Sequence, residues 1–265
     1  MTSMIKTADE IRLMRESGQL LASVFHELDN YIEAGLSTLD INNFVEHFIV
    51  DSLKARPASK GQYGYQFVLN SSINEVVCHG VPSNAKRLKN GDIVNIDITL
   101  EKNGYIADSS KMFTIGDVST IAKRLVDATY DAMWRGIETV KPGATTGDIG
   151  FAIQQYAQKQ GFSVVREYCG HGIGKEMHEE PQILHFGKPG DGLELRAGMI
   201  FTIEPMINQG SHKTKLKKDG WTVVTRDKKL SAQWEHTVLV TSSGFEVLTL
   251  RQNEKLPHAN QRNEN

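Results

Sequence analysis

The strongest constraint on the fold is a short pattern that occurs twice in the chain. Residues 88–91 (Leu-Lys-Asn-Gly) lead into an apolar run and then to Asp97, and residues 195–198 (Leu-Arg-Ala-Gly) lead into another and then to Glu204. In both copies the acid stands six positions after the glycine. Because each copy also follows two amphipathic segments with helical periodicity, the pattern predicts two similar halves, each a helix pair followed by strands. The alternative to a duplication is a chance match, because Leu-basic-x-Gly is a common sequence just before a strand.

Periodicity and capping signals place the elements along the chain. Thr7 with Glu10 has the spacing of a capping box, and the helix that it opens is expected to end at Gly35. Ser37 opens a second helix. The remaining predicted elements are strands over 63–114, helices over 118–140 and 146–160, and strands with glycine-rich loops to about 250. The sequence thus predicts one α+β domain over 1–250, with an N-half to about 115, a C-half over 116–250 and a polar tail over 251–265.

Composition excludes several classes of protein. The 30 Lys+Arg and 32 Asp+Glu give a net charge of −2, which provides no electrostatic reason for nucleic acid as the main partner. Two cysteines cannot build a disulfide framework or a cysteine-rich zinc site. Neither a signal peptide nor an apolar run of the ~18 residues that a membrane span needs is evident. We therefore expect a cytoplasmic enzyme that does not associate with membranes.

Two aspartates are expected to lie diagonally across a hairpin. Asn103-Gly104 is a strong two-residue turn signal, and a turn there places Asp97 opposite Ser110 and Asp108 opposite Thr99. The two aspartates would then be diagonal neighbours on one face, about 7–8 Å apart. That separation suits carboxylates flanking two metal ions about 3.5–4 Å apart. A solvated polar face is the alternative.

The second half carries three more candidate ligands. Glu204 and Glu235 stand in apolar surroundings, where carboxylates are rarely buried unless they are paired or bound to metal. His171 lies between two glycines, which would let the backbone bring its ring into a crowded site, although a surface position is possible. The four acids would together carry −4, which two divalent cations would neutralise. Oxygen-rich ligation with one imidazole suits Mn, Fe(II), Co or Zn, and the sequence does not select among them.

These five residues and their surroundings resemble the type I methionine aminopeptidases in their short bacterial form. The resemblance covers residues 4–250 and rests on the five candidate ligands and on five stretches of sequence: 73–80 (INEVVCHG), 108–113 (DSSKMF), 167–174 (EYCGHGIG), 201–206 (FTIEPM) and 233–237 (QWEHT). It implies the pita-bread (creatinase/aminopeptidase) fold, in which two αβ halves related by a pseudo-twofold axis enclose a dimetal site. That fold agrees with the inferred duplication.

The resemblance also implies a role for each candidate ligand. Asp97 would hold one metal, and His171 and Glu204 would hold the other. Asp108 and Glu235 would bridge the two ions. Glu204 would also be the general base or proton shuttle while metal-activated water attacks the first peptide bond of the substrate.

Other residues would contact the substrate. His79 and His178 correspond to the family histidines that contact the peptide and the reaction intermediate, so both are candidate catalytic and substrate-binding residues. The methionine pocket is expected to include Tyr65, Trp221, Met177 and Asn70. Asn70, like Ser59 and Gln62, departs from what close bacterial relatives often carry, which leaves the pocket lining open.

The implied function is removal of the initiator methionine from nascent proteins whose second residue is small. A proline-directed pita-bread peptidase and a non-catalytic ribosome-binding relative are the alternatives. The expected partners are nascent polypeptide N-termini and, through the basic segment 211–218, a transient contact with the ribosome. A solvated loop is the alternative for that segment, and the protein is expected to be a monomer.

Overall fold

The computed structural model describes residues 4–254 of the chain. Within them lie the helices α1 (Ala8–Tyr31), α2 (Thr38–His47), α3 (Thr120–Ile137) and α4 (Thr146–Lys159), with a π-helical turn (Phe48–Ser52) after α2 and a 3-10 turn (Gln62–Gly64). None of the helices in this part of the chain is long and apolar enough to cross a membrane.

Capping explains where the helices begin. The predicted capping box of Thr7 and Glu10 is confirmed, and Ser37 and Thr145 open α2 and α4 in the same way. The predicted end of α1 at Gly35 was wrong, because the helix ends at Tyr31. Gly35 lies in the following loop with a φ of 96°. Gly35 therefore forms part of the turn after the helix and is not the residue at which the helix ends.

Strands, most of them two to five residues long, form the rest of the ordered structure. They are β1 (Arg56–Pro57), β2 (Leu69–Ile73), β3 (Val76–Cys78), β4 (Ile93–Lys102), β5 (Tyr105–Thr114), β6 (Ser163–Val164), β7 (Gly170–Gly172), β8 (Glu179–Ile183), β9 (Ile200–Ile203), β10 (Met206–Asn208), β11 (Thr214–Leu216), β12 (Val223–Thr225), β13 (Ser231–Gln233), β14 (His236–Val240) and β15 (Phe245–Val247). The two largest sheets contain β1, β2, β4 and β5, and β15-β14-β9-β7-β8 in that order.

The two halves repeat one another in detail. In each half a helix pair packs on one of the large sheets through its own apolar core. The helix caps Ser37 and Thr145 form isolated bridges to the residues just before Leu88 and Leu195. Both leucines are buried, and the glycine that ends each copy of the pattern has a positive φ, 94° in the first and 90° in the second. The duplicated sequence pattern therefore corresponds to a duplicated local structure.

The two large sheets meet where β5 runs beside the first residues of β14. Glu235, just before β14, donates its backbone N–H to the carbonyl of Ser110 over 3.2 Å. The hydroxyl of Thr237 donates to the carbonyl of Asp108 over 2.7 Å and accepts from the N–H of the same residue over 3.2 Å. This junction brings residues from both halves to one place in the structure.

The last described residues return to that junction. Arg251 is 8% exposed and the side chain of Glu254 is 6% exposed. Both belong to the segment that the sequence assigned to a polar tail, yet they pack against the body of the protein. Residues 255–265 of that segment lie outside the described residues, as do residues 1–3.

Candidate metal centre

A cavity of about 570 Å³ lies between the two halves. Every candidate site residue named from the sequence contributes to its walls: Tyr65, Asn70, His79, Asp97, Asp108, His171, Met177, His178, Glu204, Trp221 and Glu235. The fold thus brings side chains from eight separate stretches of the chain to one concave site, which is the kind of place where small ligands bind.

The hairpin of β4 and β5 positions the two aspartates. Asp97 pairs with Ser110, and Asp108 pairs with Thr99, as the Asn103-Gly104 turn predicts. Asn103 has a φ of 54° and Gly104 a φ of 81°, the conformation that this turn type needs. The register fixes both carboxylates on the face that lines the cavity.

His171 reaches the site because its neighbours are glycines. A Cβ at position 170 would lie 2.3 Å from the carbonyl oxygen of Thr202, and one at position 172 would lie 2.1 Å from that of Glu180. The imidazole Nδ1 lies 3.0 Å from the carbonyl oxygen of Gly172, a distance that suits donation by an Nδ1–H. That tautomer leaves Nε2 free as a ligand atom, 3.5 Å from Glu204 Oε1 and 3.9 Å from Asp108 Oδ2.

Glu204 follows β9 and is held by three contacts. The hydroxyl of Thr202 donates to Oε1 over 2.8 Å, and the side-chain amide of Gln233 donates to Oε2 over 3.3 Å. The backbone N–H of Glu204 donates to Nε2 of the buried His185 over 3.1 Å. Sequence reasoning missed Gln233 and His185. Only the placement of Gln233 two residues before Glu235 gave any signal.

Burial makes this cluster electrostatically unusual. It raises the pKa of Asp97 to about 6 and that of Glu204 to about 8. Burial and then the neighbouring acids raise the pKa values of Asp108 and Glu235 far above their usual range. Burial also lowers the pKa of His171 to about 3, so this ring is neutral at pH 7. Four such acids cannot all be charged in this space without a compensating cation.

The donor set fits a divalent metal. Asp108, His171 and Glu235 each place a ligand atom within 4.8 Å of the others'. Asp108 Oδ1 is buried and has no hydrogen-bond partner among the described residues, which is expected for an oxygen that a cation would complete. Carboxylate oxygens with one neutral imidazole are ligands of Mn, Fe(II), Co and catalytic Zn.

Two further histidines, His79 and His178, line the same cavity. The His178 ring lies 4.4 Å from that of His171, and the His79 ring lies 5.7 Å from that of Tyr168. His79 has a φ of 55°, the left-handed region that is costly for residues other than glycine. Burial lowers the pKa of His79 to about 4 and, less strongly, that of His178. Both rings are therefore neutral at pH 7.

Aromatic rings and one amide form the end of the cavity. Tyr65 and Trp221 pack with ring centroids 4.9 Å apart, and the Tyr65 hydroxyl donates to the carbonyl of Leu69 over 2.9 Å. Met177 is buried and lines the same cavity. The side-chain amide of Asn70 donates to Asp97 Oδ2 over 3.3 Å, so this residue contacts a candidate ligand directly.

The basic segment 211–218 is a hairpin arm and not only a loop. It contains β11, which pairs with β12, and its lysines at 213, 215, 217 and 218 are exposed. The hairpin also carries Trp221 into the cavity wall, so the same element has a basic outer surface and an aromatic inner end.

Comparison with known proteins places the chain in a family. The model of metallopeptidase family M24 matches residues 12–242. A methionine aminopeptidase from Salmonella typhimurium is 49% identical over 96% of both chains. One from Rickettsia prowazekii is 51% identical over 94% of this chain and 96% of that protein.

Solved structures agree on the architecture. The crystal structure of methionine aminopeptidase from Rickettsia prowazekii superposes with a TM-score of 0.91 at 50% identity, over 93% of this chain and 99% of that one. The prolidase from Pyrococcus horikoshii has a TM-score of 0.75 at 22% identity, over 95% of this chain and 65% of that one, which shows a shared fold alone. The expected pita-bread fold is confirmed, and the chain belongs to the methionine aminopeptidases of metallopeptidase family M24.

Proposed function

We propose that the protein is a metal-dependent methionine aminopeptidase that removes the N-terminal methionine from polypeptides whose second residue is small. The observation that carries the proposal is the convergence of Asp97, Asp108, His171, Glu204 and Glu235 in one buried cavity. The identity of about 50% to methionine aminopeptidases over nearly the whole chain supports it.

The five converging side chains would hold two divalent cations. Such ions, when bound, polarise a peptide carbonyl and supply a nucleophilic water at neutral pH. The native metal is to be sought among Fe(II), Mn, Co and Zn, which all suit oxygen-rich ligation. The raised pKa values of the acids support a cation site, because a cation compensates charge that burial disfavours.

Glu204 is the proposed proton acceptor of the reaction. Its carboxyl lies beside the His171 ring, and Thr202 and Gln233 fix its two oxygens. A carboxylate in this position can take a proton from the attacking water and pass it to the leaving amine. His79 and His178 are neutral at pH 7 and so can donate a hydrogen bond to the substrate peptide without adding charge to the site.

The methionine side chain is proposed to enter the end formed by Tyr65, Trp221, Met177 and Asn70. Two aromatic rings and a thioether offer an apolar surface for an unbranched thioether. The side-chain amide of Asn70 donates a hydrogen bond to Asp97, so one N–H of this polar residue already has a partner before any substrate binds.

The two alternative functions have less support. Structures of proline-directed relatives share 22–26% identity with this chain, against 50% for the Rickettsia methionine aminopeptidase. A non-catalytic relative would be expected to have lost ligand-type residues, and all five are present here.

The proposed setting is the cytoplasm, with nascent polypeptide N-termini as substrates and a monomeric enzyme. The exposed lysines of 211–218 support a transient contact with ribosomal RNA, because clustered lysines attract phosphate. Charge reversal at these four lysines is expected to reduce co-sedimentation with ribosomes while leaving hydrolysis of a free tripeptide unchanged. Unchanged co-sedimentation would refute the contact.

Peptide hydrolysis tests the main proposal. The metal-reconstituted protein is expected to release methionine from Met-Ala-Ser and to leave an X-Pro dipeptide intact, and Glu204→Ala is expected to remove the activity. Absence of turnover with Mn, Fe(II) and Co would contradict the proposal, and preference for X-Pro would favour the proline-directed alternative.

A further inference from the structure

Arg251 is a buried residue that does not line the cavity of the candidate metal centre. Its guanidinium lies between two aromatic rings, 4.8 Å from the ring centre of Phe25 and 5.6 Å from that of Trp234. With Glu254 it also lines a second cavity, of about 370 Å³. Arg251 therefore borders a different cavity from the one that the candidate ligands line.

One nitrogen of this guanidinium binds the junction of the two halves. Nη2 donates to the carbonyl of Ser110 over 2.6 Å, to the hydroxyl of Ser109 over 2.9 Å and to the carbonyl of Glu235 over 3.4 Å. The Ser109 hydroxyl in turn donates to the carbonyl of Glu235 over 2.7 Å. These bonds fix the backbone next to Asp108 and the backbone of Glu235 itself. They therefore fix the positions from which the Asp108 and Glu235 side chains extend.

Glu254 and His236 orient the other side of the guanidinium. Nη1 donates to Glu254 Oε2 over 3.1 Å, and Glu254 Oε1 lies 2.9 Å from His236 Nε2. The His236 ring also contacts the hydroxyl of Thr249 through Nδ1, at 2.9 Å. Arg251 thus has a buried counter-ion, and its positive charge is close enough to the acids to act on the pKa of Glu235.

We propose that Arg251 is a positioning residue of the metal centre. Its guanidinium holds Asp108 and Glu235 at the separation that a shared cation needs. Glu254 keeps the guanidinium in place. The inference rests on the proposed function, since it assumes that these two carboxylates bind metal. Partners of this kind around a metal site typically change metal affinity by about 10- to 100-fold when they are removed.

A cobalt titration tests this role directly. Co(II) is added to metal-free wild type, Arg251→Met, Arg251→Lys and Glu254→Gln, with calorimetry for the affinity and the visible absorption spectrum for the ligand geometry. Arg251→Met is expected to weaken Co(II) binding by about 10- to 100-fold. Arg251→Lys keeps the charge but not the forked geometry, so it is expected to recover only part of the affinity and to show an altered spectrum. Glu254→Gln is expected to have a smaller effect than Arg251→Met.

Two controls separate positioning from general stability. Arg135 also lies over an aromatic ring, that of Tyr156 at 5.5 Å, but it is exposed and outside the cavity, so Arg135→Met is expected to bind Co(II) like wild type. Ser109→Ala removes the hydroxyl that links Arg251 to the carbonyl of Glu235 and leaves the charge of the protein unchanged. This variant keeps the test available should Arg251→Met fail to fold. It is expected to weaken Co(II) binding several-fold.

The outcomes are distinct. Arg251 and Ser109 variants that are less stable but bind Co(II) with wild-type affinity and spectrum would overturn the inference and leave the proposed function intact. Wild type that binds no Co(II) would overturn the metal centre and the inference with it.

Discussion

At the scale of single residues, the site depends on side chains that hydrogen bonds hold in one position, and Glu204 is the first of them. Glu204→Gln keeps an oxygen that can accept from Thr202 but cannot take up a proton. We expect kcat to fall by about 10²- to 10⁴-fold, the range for loss of a general base. Steady-state kinetics with metal content measured in parallel checks this. The exposed Glu33→Gln is the control, and wild-type kcat in Glu204→Gln would rule out the assigned role.

Gly172 is a second residue on which the site depends. A Cβ there would lie 2.1 Å from a backbone oxygen of β8, so Gly172→Ala must displace the strand pair that carries His171. We expect a loss of about 1–3 kcal/mol in the free energy of unfolding, together with weaker metal binding.

Chemical denaturation measures this loss, and Gly244 offers a matched control. No atom lies within 4 Å of a Cβ at that position, so Gly244→Ala is expected to stay within about 0.5 kcal/mol of wild type. Equal stability of the two variants would contradict the steric argument.

Part of the site could be predicted from residue types alone. The Asn103-Gly104 turn fixes the hairpin register, and glycines on both sides of His171 indicate a crowded backbone. His185 and Arg251 could not be found in this way, and Gln233 had only its place two residues before Glu235 as a signal. Each acts on a backbone or side-chain group that only the tertiary structure brings near, and none has a spacing that indicates its partner.

At the scale of elements, the segment between β7 and β8 carries Met177 and His178 and is held by the N-terminal arm. Lys6 forms an ion pair with Glu179 at 2.5 Å, with both side chains about 5% exposed. Lys6→Met would leave the carboxylate buried without this partner, so we expect a loss of about 3–5 kcal/mol in stability. Because Met177 and His178 line the cavity, KM for the peptide should also rise.

An exposed ion pair provides the comparison. Arg15 and Glu246 are each more than a third exposed, so Arg15→Met is expected to cost no more than about 1 kcal/mol and to leave KM unchanged. Denaturation curves and peptide kinetics on the two variants check both statements. A Lys6→Met protein as stable as Arg15→Met would show that the buried pair does not hold this segment.

Helices and strands were predicted well where the signals are local. The beginnings of α1, α2 and α4 follow from their capping residues, and the helix predicted over 118–140 is present at Thr120–Ile137. The predicted strand region over 63–114 begins instead with the turn at Gln62–Gly64, and β2 starts only at Leu69. Positive φ values at Gly61, Tyr63 and Gly64 define that turn, and no periodicity reports them.

At the scale of the whole molecule, the buried acids make stability depend on pH and metal. Burial raises the pKa of Glu204 from its ordinary 4.5 to about 8 in the folded protein. The folded chain therefore holds a proton that the unfolded chain releases, so this contribution to stability is complete below about pH 4.5 and is lost as the pH rises through 8. The buried histidines, with lowered pKa values, affect stability only below about pH 6.5.

Unfolding of the metal-free protein between pH 7 and 8.5 tests this coupling. We expect the free energy of unfolding to fall by at least about 1 kcal/mol over that range, and saturating Mn to remove the fall because metal replaces the proton. Glu204→Gln should show a smaller fall. A metal-free protein whose stability is flat or increases over this range would contradict the raised pKa.

The position of Arg251 in the chain has a consequence for biosynthesis. All five candidate ligands lie at or before residue 235 in the chain. Arg251, whose guanidinium holds two of them in place, is synthesised later, after β15. The metal centre can therefore be completed only after β14 and β15, which precede Arg251 in the chain, have been made. We expect tight cation binding to be among the last steps of maturation, because it requires that Arg251 has left the ribosome and docked.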